Sequence, residues 1–147
     1  MEDQAMKYSR INVHGIRIFY RECGSEDLPV MVLFHGFPSA GHMFRDLMPA
    51  LQDRFHLIAP DYAEKQSDLI FDYQNNVKMY PAFQEYLRTY QPKLPAVWGK
   101  DDPSFIWAGA EAFASDLPDA RIVPVSSGHF ALENCFKKIA EEIHRFF

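Results

Sequence analysis

The sequence predicts an α/β fold: an N-terminal β-hairpin followed by a mostly parallel sheet flanked by helices, in one domain over residues 1–147. Three observations lead there. A His14-Gly15 turn joins two runs rich in β-branched and aromatic residues, an apolar run stands between Pro29 and Gly36, and strand-like and helix-like segments alternate from that run onward. With 147 residues, 48% of them hydrophobic, the chain has apolar material enough for one buried core.

Ile11 to Val13 and Ile16 to Glu22 read as the two hairpin strands, with Gly15 able to supply positive φ and His14 placed as a turn residue. After a loop from Cys23 to Leu28, the unbroken apolar run Val30 to Phe34 is expected to be a central strand covered on both faces. Phe44, Leu47, Met48 and Leu51 fall at helical spacing, and His56 to Ala59 returns to a strand that Pro60 is expected to end. From about Lys65 to Tyr90 the pattern favours helix. Pro81 is expected to split it in two, with Phe71, Tyr73, Tyr80, Phe83 and Tyr86 mostly packing.

Ala96 to Trp98 reads as another strand, followed by a polar turn through Asp102-Pro103 and a helix around Ile106 to Ala114. Arg121 to Val125 is the last strand. Phe136 to Phe147 closes the chain as an amphipathic helix with Ile139, Ile143 and Phe147 on one face.

Fifteen basic and twenty acidic side chains give a net charge of -5, so nothing points to the concentrated positive surface of a nucleic-acid binder, and no nucleic-acid partner is expected. The polar Met1 to Arg10 segment has no signal-peptide core and no window has the length of a membrane span, so the chain reads as soluble and cytoplasmic, with no membrane partner. Cys23 and Cys135 stand in no metal-ligand spacing, so no disulfide framework, metal or cofactor is implied, and burial is the plainer role for both.

Three stretches follow the carboxyl ends of strands, the edge at which open α/β sheets form ligand sites: Phe34-His35-Gly36-Phe37-Pro38, Trp98-Gly99-Lys100-Asp101-Asp102 and Gly128-His129-Phe130. A carboxylate can hold an imidazole in one tautomer and stabilise its charged form, leaving the second nitrogen to take a proton from a hydroxyl or water. Asp102 and His129 are the candidates for that pair. Taken singly, an aspartate before proline is a turn former and a histidine after glycine a loop residue; the two readings gain weight from each other.

Together these stretches, with Ala59-Pro60-Asp61-Tyr62, Tyr80-Pro81-Ala82-Phe83-Gln84, Asp102-Pro103-Ser104-Phe105 and Gly128-His129-Phe130-Ala131-Leu132-Glu133, resemble the α/β-hydrolase superfamily in its epoxide hydrolase and haloalkane dehalogenase branch. The resemblance runs over about residues 9–147. It implies that the Phe37 backbone N–H serves an oxyanion or halide-type site with Pro38 following in cis, that Trp98 helps line a substrate pocket, and that Asp102 orients His129 to activate water against a covalent intermediate. Substrates implied are small apolar esters, epoxides or haloalkanes. His35 and Gly36 shape the loop.

One part of the pattern is missing. Superfamily members carry the nucleophile on a sharp strand-to-helix turn, Gly-x-Ser-x-Gly in esterases and with aspartate in the serine position in this branch. No such turn occurs here: after Tyr62 the chain continues Ala63-Glu64-Lys65-Gln66, which resembles sequence from beyond the cap. An internal deletion near Tyr62 and Ala63 would remove the nucleophile elbow, the cap and the middle of the sheet. Ser39, Asp61, Ser126 and Ser127 have ordinary uses as a helix cap, a turn former and loop partners rather than as substitutes. The readings are a truncated α/β-hydrolase of little or no native activity, a noncatalytic remnant that self-associates through an exposed sheet edge or binds another protein, and a binder of a small apolar ligand.

Overall fold

The computed structural model describes residues 5–36, 39–62 and 66–147, without the side chains of residues 66–72 and 74. The chain divides into two compact units, Met1–Leu69 and Ile70–Phe147.

The first unit opens with strands β1 (Lys7–Val13) and β2 (Ile16–Cys23), paired antiparallel from Val13↔Ile16 to Lys7↔Glu22. His14 and Gly15 both take positive φ, 51° and 85°, the left-handed pair whose twist matches that of the flanking strands. Asn12 Oδ1 accepts the Gly15 N–H at 2.8 Å and fastens the turn. Strand β3 (Val30–Val32), a 3₁₀ turn (Gly41–Phe44), helix α1 (Leu47–Leu51) and strand β4 (His56–Asp61) complete a four-stranded sheet in the order β1-β2-β4-β3. The residues read at helical spacing, Phe44, Leu47, Met48 and Leu51, are all buried, together with Phe55, Leu57 and Ala59. Each of these leucine, methionine and phenylalanine side chains contributes about 1.5–3 kcal/mol by leaving water.

Two expectations fail in this unit. Strand β3 is not central: among the described residues its hydrogen-bonded neighbour is β4 alone, in parallel register from Val30↔His56 to Val32↔Ile58, and Val30, Val32 and Phe34 are 61%, 44% and 71% exposed. A continuous apolar run reports what a strand is built to bury, and among the described residues no further strand pairs with it. Nor does Pro60 end β4, which runs on to Asp61 with Tyr20↔Pro60 in its antiparallel pairing to β2. Ile58 gives its carbonyl to the Leu33 N–H on the β3 side. By the two-residue period of a strand Pro60 faces the same way, beyond the last β3 pair, so its missing donor breaks no ladder bond.

Helix α2 (Gln66–Tyr90) leads into the second unit as one uninterrupted helix with Pro81 inside it, not two. Proline removes the hydrogen bond to the carbonyl four residues back, at Val77, and Val77 lies on an exposed part of the helix, where an acceptor without its helical partner costs little. Tyr73, Tyr80, Phe83 and Tyr86 are exposed rather than packed, and the Phe71 side chain lies outside the described residues. Helical spacing of aromatics shows a common face, and the burial of that face is decided by what lies opposite it. The carboxyl end of α2 is tied down by Arg88 Nη1 to Asp116 Oδ1 at 2.7 Å and by Gln91 Nε2 to the Asp116 carbonyl at 2.9 Å.

Strands β5 (Pro95–Gly99) and β6 (Arg121–Val125) form a parallel two-stranded sheet, joined through helix α3 (Trp107–Asp116). Helix α4 (Ala131–Asn134) and helix α5 (Phe136–Phe146) follow. Among the described residues of this unit Ala110, Leu117, Val125 and Ala140 are the buried apolar ones. On α5, Ile139 and Ile143 are half-buried, whereas Phe147 lies past the helix end and is exposed. Glu142, only 2% exposed, instead lies inside: Arg121 Nε and Nη2 reach its Oε2 at 2.8 and 2.5 Å, and Lys138 and Arg145 approach its Oε1 at 3.1 and 3.2 Å. Arg121 foremost, and Lys138 with it, outweigh the desolvation penalty and hold the carboxyl below its ordinary range.

Candidate active site

The site lies in the second unit, at the carboxyl ends of β5 and β6. Their ladder continues beyond the strands: Lys100 N–H donates to the Val125 carbonyl at 3.0 Å and Asp101 N–H to the Ser127 carbonyl at 3.1 Å. Gly99 permits this approach, because a Cβ there would stand 2.6 Å from the Ser127 carbonyl oxygen and 2.3 Å from that of Gly128. The two loops thus leave the sheet backbone against backbone, and residues far apart in sequence meet.

Asp102 is buried at the start of its loop, and Oδ1 accepts the N–H groups of Ser104 and Phe105 at 2.8 and 3.0 Å. Oδ2 faces His129 Nδ1 at 2.9 Å. Burial alone would raise the Asp102 pKa, but the bonds from Phe105 N–H, from His129 and from Ser104 N–H together lower it. An ionised carboxylate accepts only, so the proton between the two lies on Nδ1 and Nε2 is left with its lone pair. Among the described residues no group bonds Nε2, and the His129 side chain is 35% exposed. Such a pair can take a proton at Nε2 and stabilise the charge that follows.

The imidazole lies flat against the Phe105 ring, centroids 5.3 Å apart and planes 12° off parallel, while Phe130 meets it edge-on at 5.3 Å and 80°. Trp98, Asp102, Phe105, Gly128, His129 and Ala131 help line an open cavity of about 180 Å³. The structure therefore brings together Asp102, His129 and Trp98 of the residues singled out in the sequence. Phe37 and Pro38 lie outside the described residues. Trp98 commits its indole N–H to the Phe105 carbonyl at 2.7 Å, leaving its ring for the cavity wall.

Gly99 and Phe105 stand inside stretches singled out in the sequence, but neither had a role there. Glycine at the end of a strand, just before the acid's loop, is a signal of close backbone approach. Nothing in the spacing pairs Phe105 with His129.

In the first unit, His35 is buried and stacks on Tyr62, centroids 4.1 Å apart. Its Nδ1 faces the Gly36 carbonyl at 3.1 Å, its Nε2 accepts the Tyr62 N–H at 3.4 Å, and the Tyr62 hydroxyl donates to the His35 carbonyl. Asp61 Oδ1 takes Arg21 Nη1 at 2.7 Å and the Gly41 N–H at 2.6 Å. Ser39 does not cap the following turn, whose N-cap is Ala40 with no side-chain bond. In the second unit Ser127 is buried and accepts Asn134 Nδ2 at 3.2 Å, and Cys135 Sγ reaches the Ser126 carbonyl at 3.9 Å. Burial, with Glu22 adding to it, pushes the Cys23 thiol up to about 11. Among the described residues no group of His, Cys, Asp and Glu could hold a metal ion, and no helix is long and apolar enough to cross a membrane.

No protein-family model matches the chain. It is 23% identical to an uncharacterised hydrolase of Saccharomyces cerevisiae, over 283 positions that cover 97% of this chain and 98% of the relative. Since the chain has 147 residues, nearly half of that alignment sets the relative against a gap. It is 32% identical over 80 residues to a haloalkane dehalogenase of Bradyrhizobium diazoefficiens, covering 52% of this chain and spanning 26% of the dehalogenase's length. A CIB-like hydrolase from Thermoplasma acidophilum superposes with a TM-score of 0.78 at 19% identity, over 97% of this chain and 98% of that one. The hairpin, the β2-β4-β3 order and these likenesses define an α/β-hydrolase fold. The chain has the fold of the α/β-hydrolases and is similar in sequence to the yeast hydrolase and, over about half its length, to the haloalkane dehalogenase.

Proposed function

We propose that the chain is a truncated α/β-hydrolase that keeps the proton-handling half of a hydrolytic site, Asp102 and His129, and lacks the nucleophile. The observation that carries this reading is the 2.9 Å bond from His129 Nδ1 to Asp102 Oδ2, with His129 lining an open cavity. The 283-position alignment of a 147-residue chain supports an internal deletion. The absence of any Gly-x-Ser-x-Gly or Gly-x-Asp-x-Gly turn agrees with it.

Without a nucleophile the remaining chemistry is direct. Nε2 takes a proton from water, the hydroxide attacks the electrophilic carbon of a small apolar ester, epoxide or haloalkane, and the departing alkoxide recovers the proton from the imidazolium or halide leaves as the anion. Enzymes stripped of a nucleophile keep roughly 10³-fold over water from their oxyanion site and binding, and the deletion damages those supports too, so little turnover is expected. Purified protein is to be assayed against activated esters, epoxides and haloalkanes beside His129→Ala. Slow turnover that His129→Ala abolishes supports the reading; equal rates in the two proteins remove the enzymatic part of it.

A second, noncatalytic reading is favoured by the exposed edge of β3: Val30 and Val32 turn their backbone groups away from β4, with no charged residue between Val30 and Phe34 to discourage pairing. It makes the chain self-associate strand to strand. Sedimentation of the native chain beside Val32→Lys tests it, and a native monomer at all accessible concentrations rejects it.

A further inference from the structure

We propose that Phe105 and Trp98 together are the positioning element of the Asp102–His129 pair: Trp98 holds Phe105, and the ring of Phe105 is the surface on which the imidazole lies. The inference rests on the reading of His129 as the working base for its functional meaning, though not for its geometry.

His129 sits on a loop, and one hydrogen bond at Nδ1 leaves its ring free to swing about that contact. The flat stack against Phe105 removes the freedom, with Phe130 closing a second side edge-on. Phe105 must then be held itself. Its N–H is bonded to Asp102 Oδ1 at 3.0 Å and its carbonyl to the Trp98 indole at 2.7 Å, so both peptide groups that flank its Cα are committed. Asp102 therefore grips the imidazole with one carboxylate oxygen and the residue beneath the imidazole with the other. Phe105 is 56% exposed, so core burial does not account for its place; an aromatic ring left largely in water is fixed at both ends against one histidine. Trp98 is in turn rooted in β5, and its ring lies beside Gly109 of α3.

Proton NMR of the whole chain reads the arrangement directly, because protons over a phenyl face are shifted upfield. The His129 ring protons are identified by their loss in His129→Ala. In Phe105→Leu they are expected to move downfield, toward the position of an unstacked histidine. Phe105→Tyr, which keeps the face, is expected to leave them in place, and Trp98→Phe, which frees the Phe105 carbonyl while the N–H bond remains, to shift them part of the way. Unchanged His129 signals in Phe105→Leu, or equal shifts in Phe105→Leu and Phe105→Tyr, would overturn the proposal. Should Trp98→Phe fail to fold, hydrogen exchange of the indole N–H in the unaltered protein decides its part: slow exchange is expected, and exchange at the rate of a free indole rejects it. None of these signals needs turnover, so a negative substrate panel would sink the proposed hydrolysis and leave this arrangement standing, and the reverse.

Discussion

A Cβ on Gly99 would stand 2.3 Å from the carbonyl oxygen of Gly128, closer than any real contact of that kind, and this gap joins the acid's loop to the histidine's. Gly99→Ala must push the two loop backbones apart. The expected cost is about 1–3 kcal/mol, the range for overpacking a filled site, read as a lower urea midpoint. The His129 ring protons are expected to move in the same variant. An unshifted midpoint would show that the loops can part freely.

Asp102 and Glu142 both have lowered pKa values, so each binds protons more weakly in the folded chain than in the unfolded one. The stability they add is present in full above their ordinary values of 3.8 and 4.5 and is lost as pH falls through the lower folded values. Thermal melting between about pH 6 and 2 is expected to show Tm falling on the acid side. Glu142→Gln removes one of the two contributions, so its curve should be flatter there and lie below the native one at neutral pH. A parallel pair of curves would mean that Arg121, Lys138 and Arg145 give Glu142 no net advantage.

Pro81 discriminates between one helix and two. Inside a continuous α2, Pro81→Ala restores a donor to the Val77 carbonyl and is expected to raise helicity and stabilise by up to about 3 kcal/mol. At the first position of a separate helix proline is favourable, and the same change would be neutral or harmful. Far-ultraviolet circular dichroism with urea titration separates the two.

Leu51 lies fully buried in the first unit, with Met48 and Leu47 on the same short helix. Leu51→Ala is expected to cost about 2–5 kcal/mol, transfer and cavity together. A loss below about 1 kcal/mol would place Leu51 at a site that collapses readily or outside the core altogether.

Much of this was legible before any coordinates. The hairpin followed from a left-handed-tolerant pair, His14-Gly15, between β-branched runs, because turn geometry is a local property of a few residues. Phe44, Leu47, Met48 and Leu51 could be read as one buried face because helical periodicity is written in spacing. The pairing of Asp102 with His129 was legible as a likelihood of place: in a parallel sheet, loops after successive strands share one edge.

Other features depended on partners that no local pattern names. The run Val30 to Val32 announces an apolar strand, yet its edge position depends on whether another strand lies beside it, and the same holds for the aromatic face of α2. Pro60 and Pro81 each remove a donor wherever they stand; whether that matters depends on which acceptor they would have met. By itself the sequence determined the hairpin turn and the buried helical face, set by chain-neighbour sterics and spacing, and it offered Asp102 and His129 as a candidate pair that the sheet edge brings to 2.9 Å. The tertiary structure alone decided that β3 is an edge, that Glu142 rather than Phe147 turns inward, and that Phe105 lies under the imidazole, since these are contacts between segments distant in sequence, settled by which surfaces find a partner.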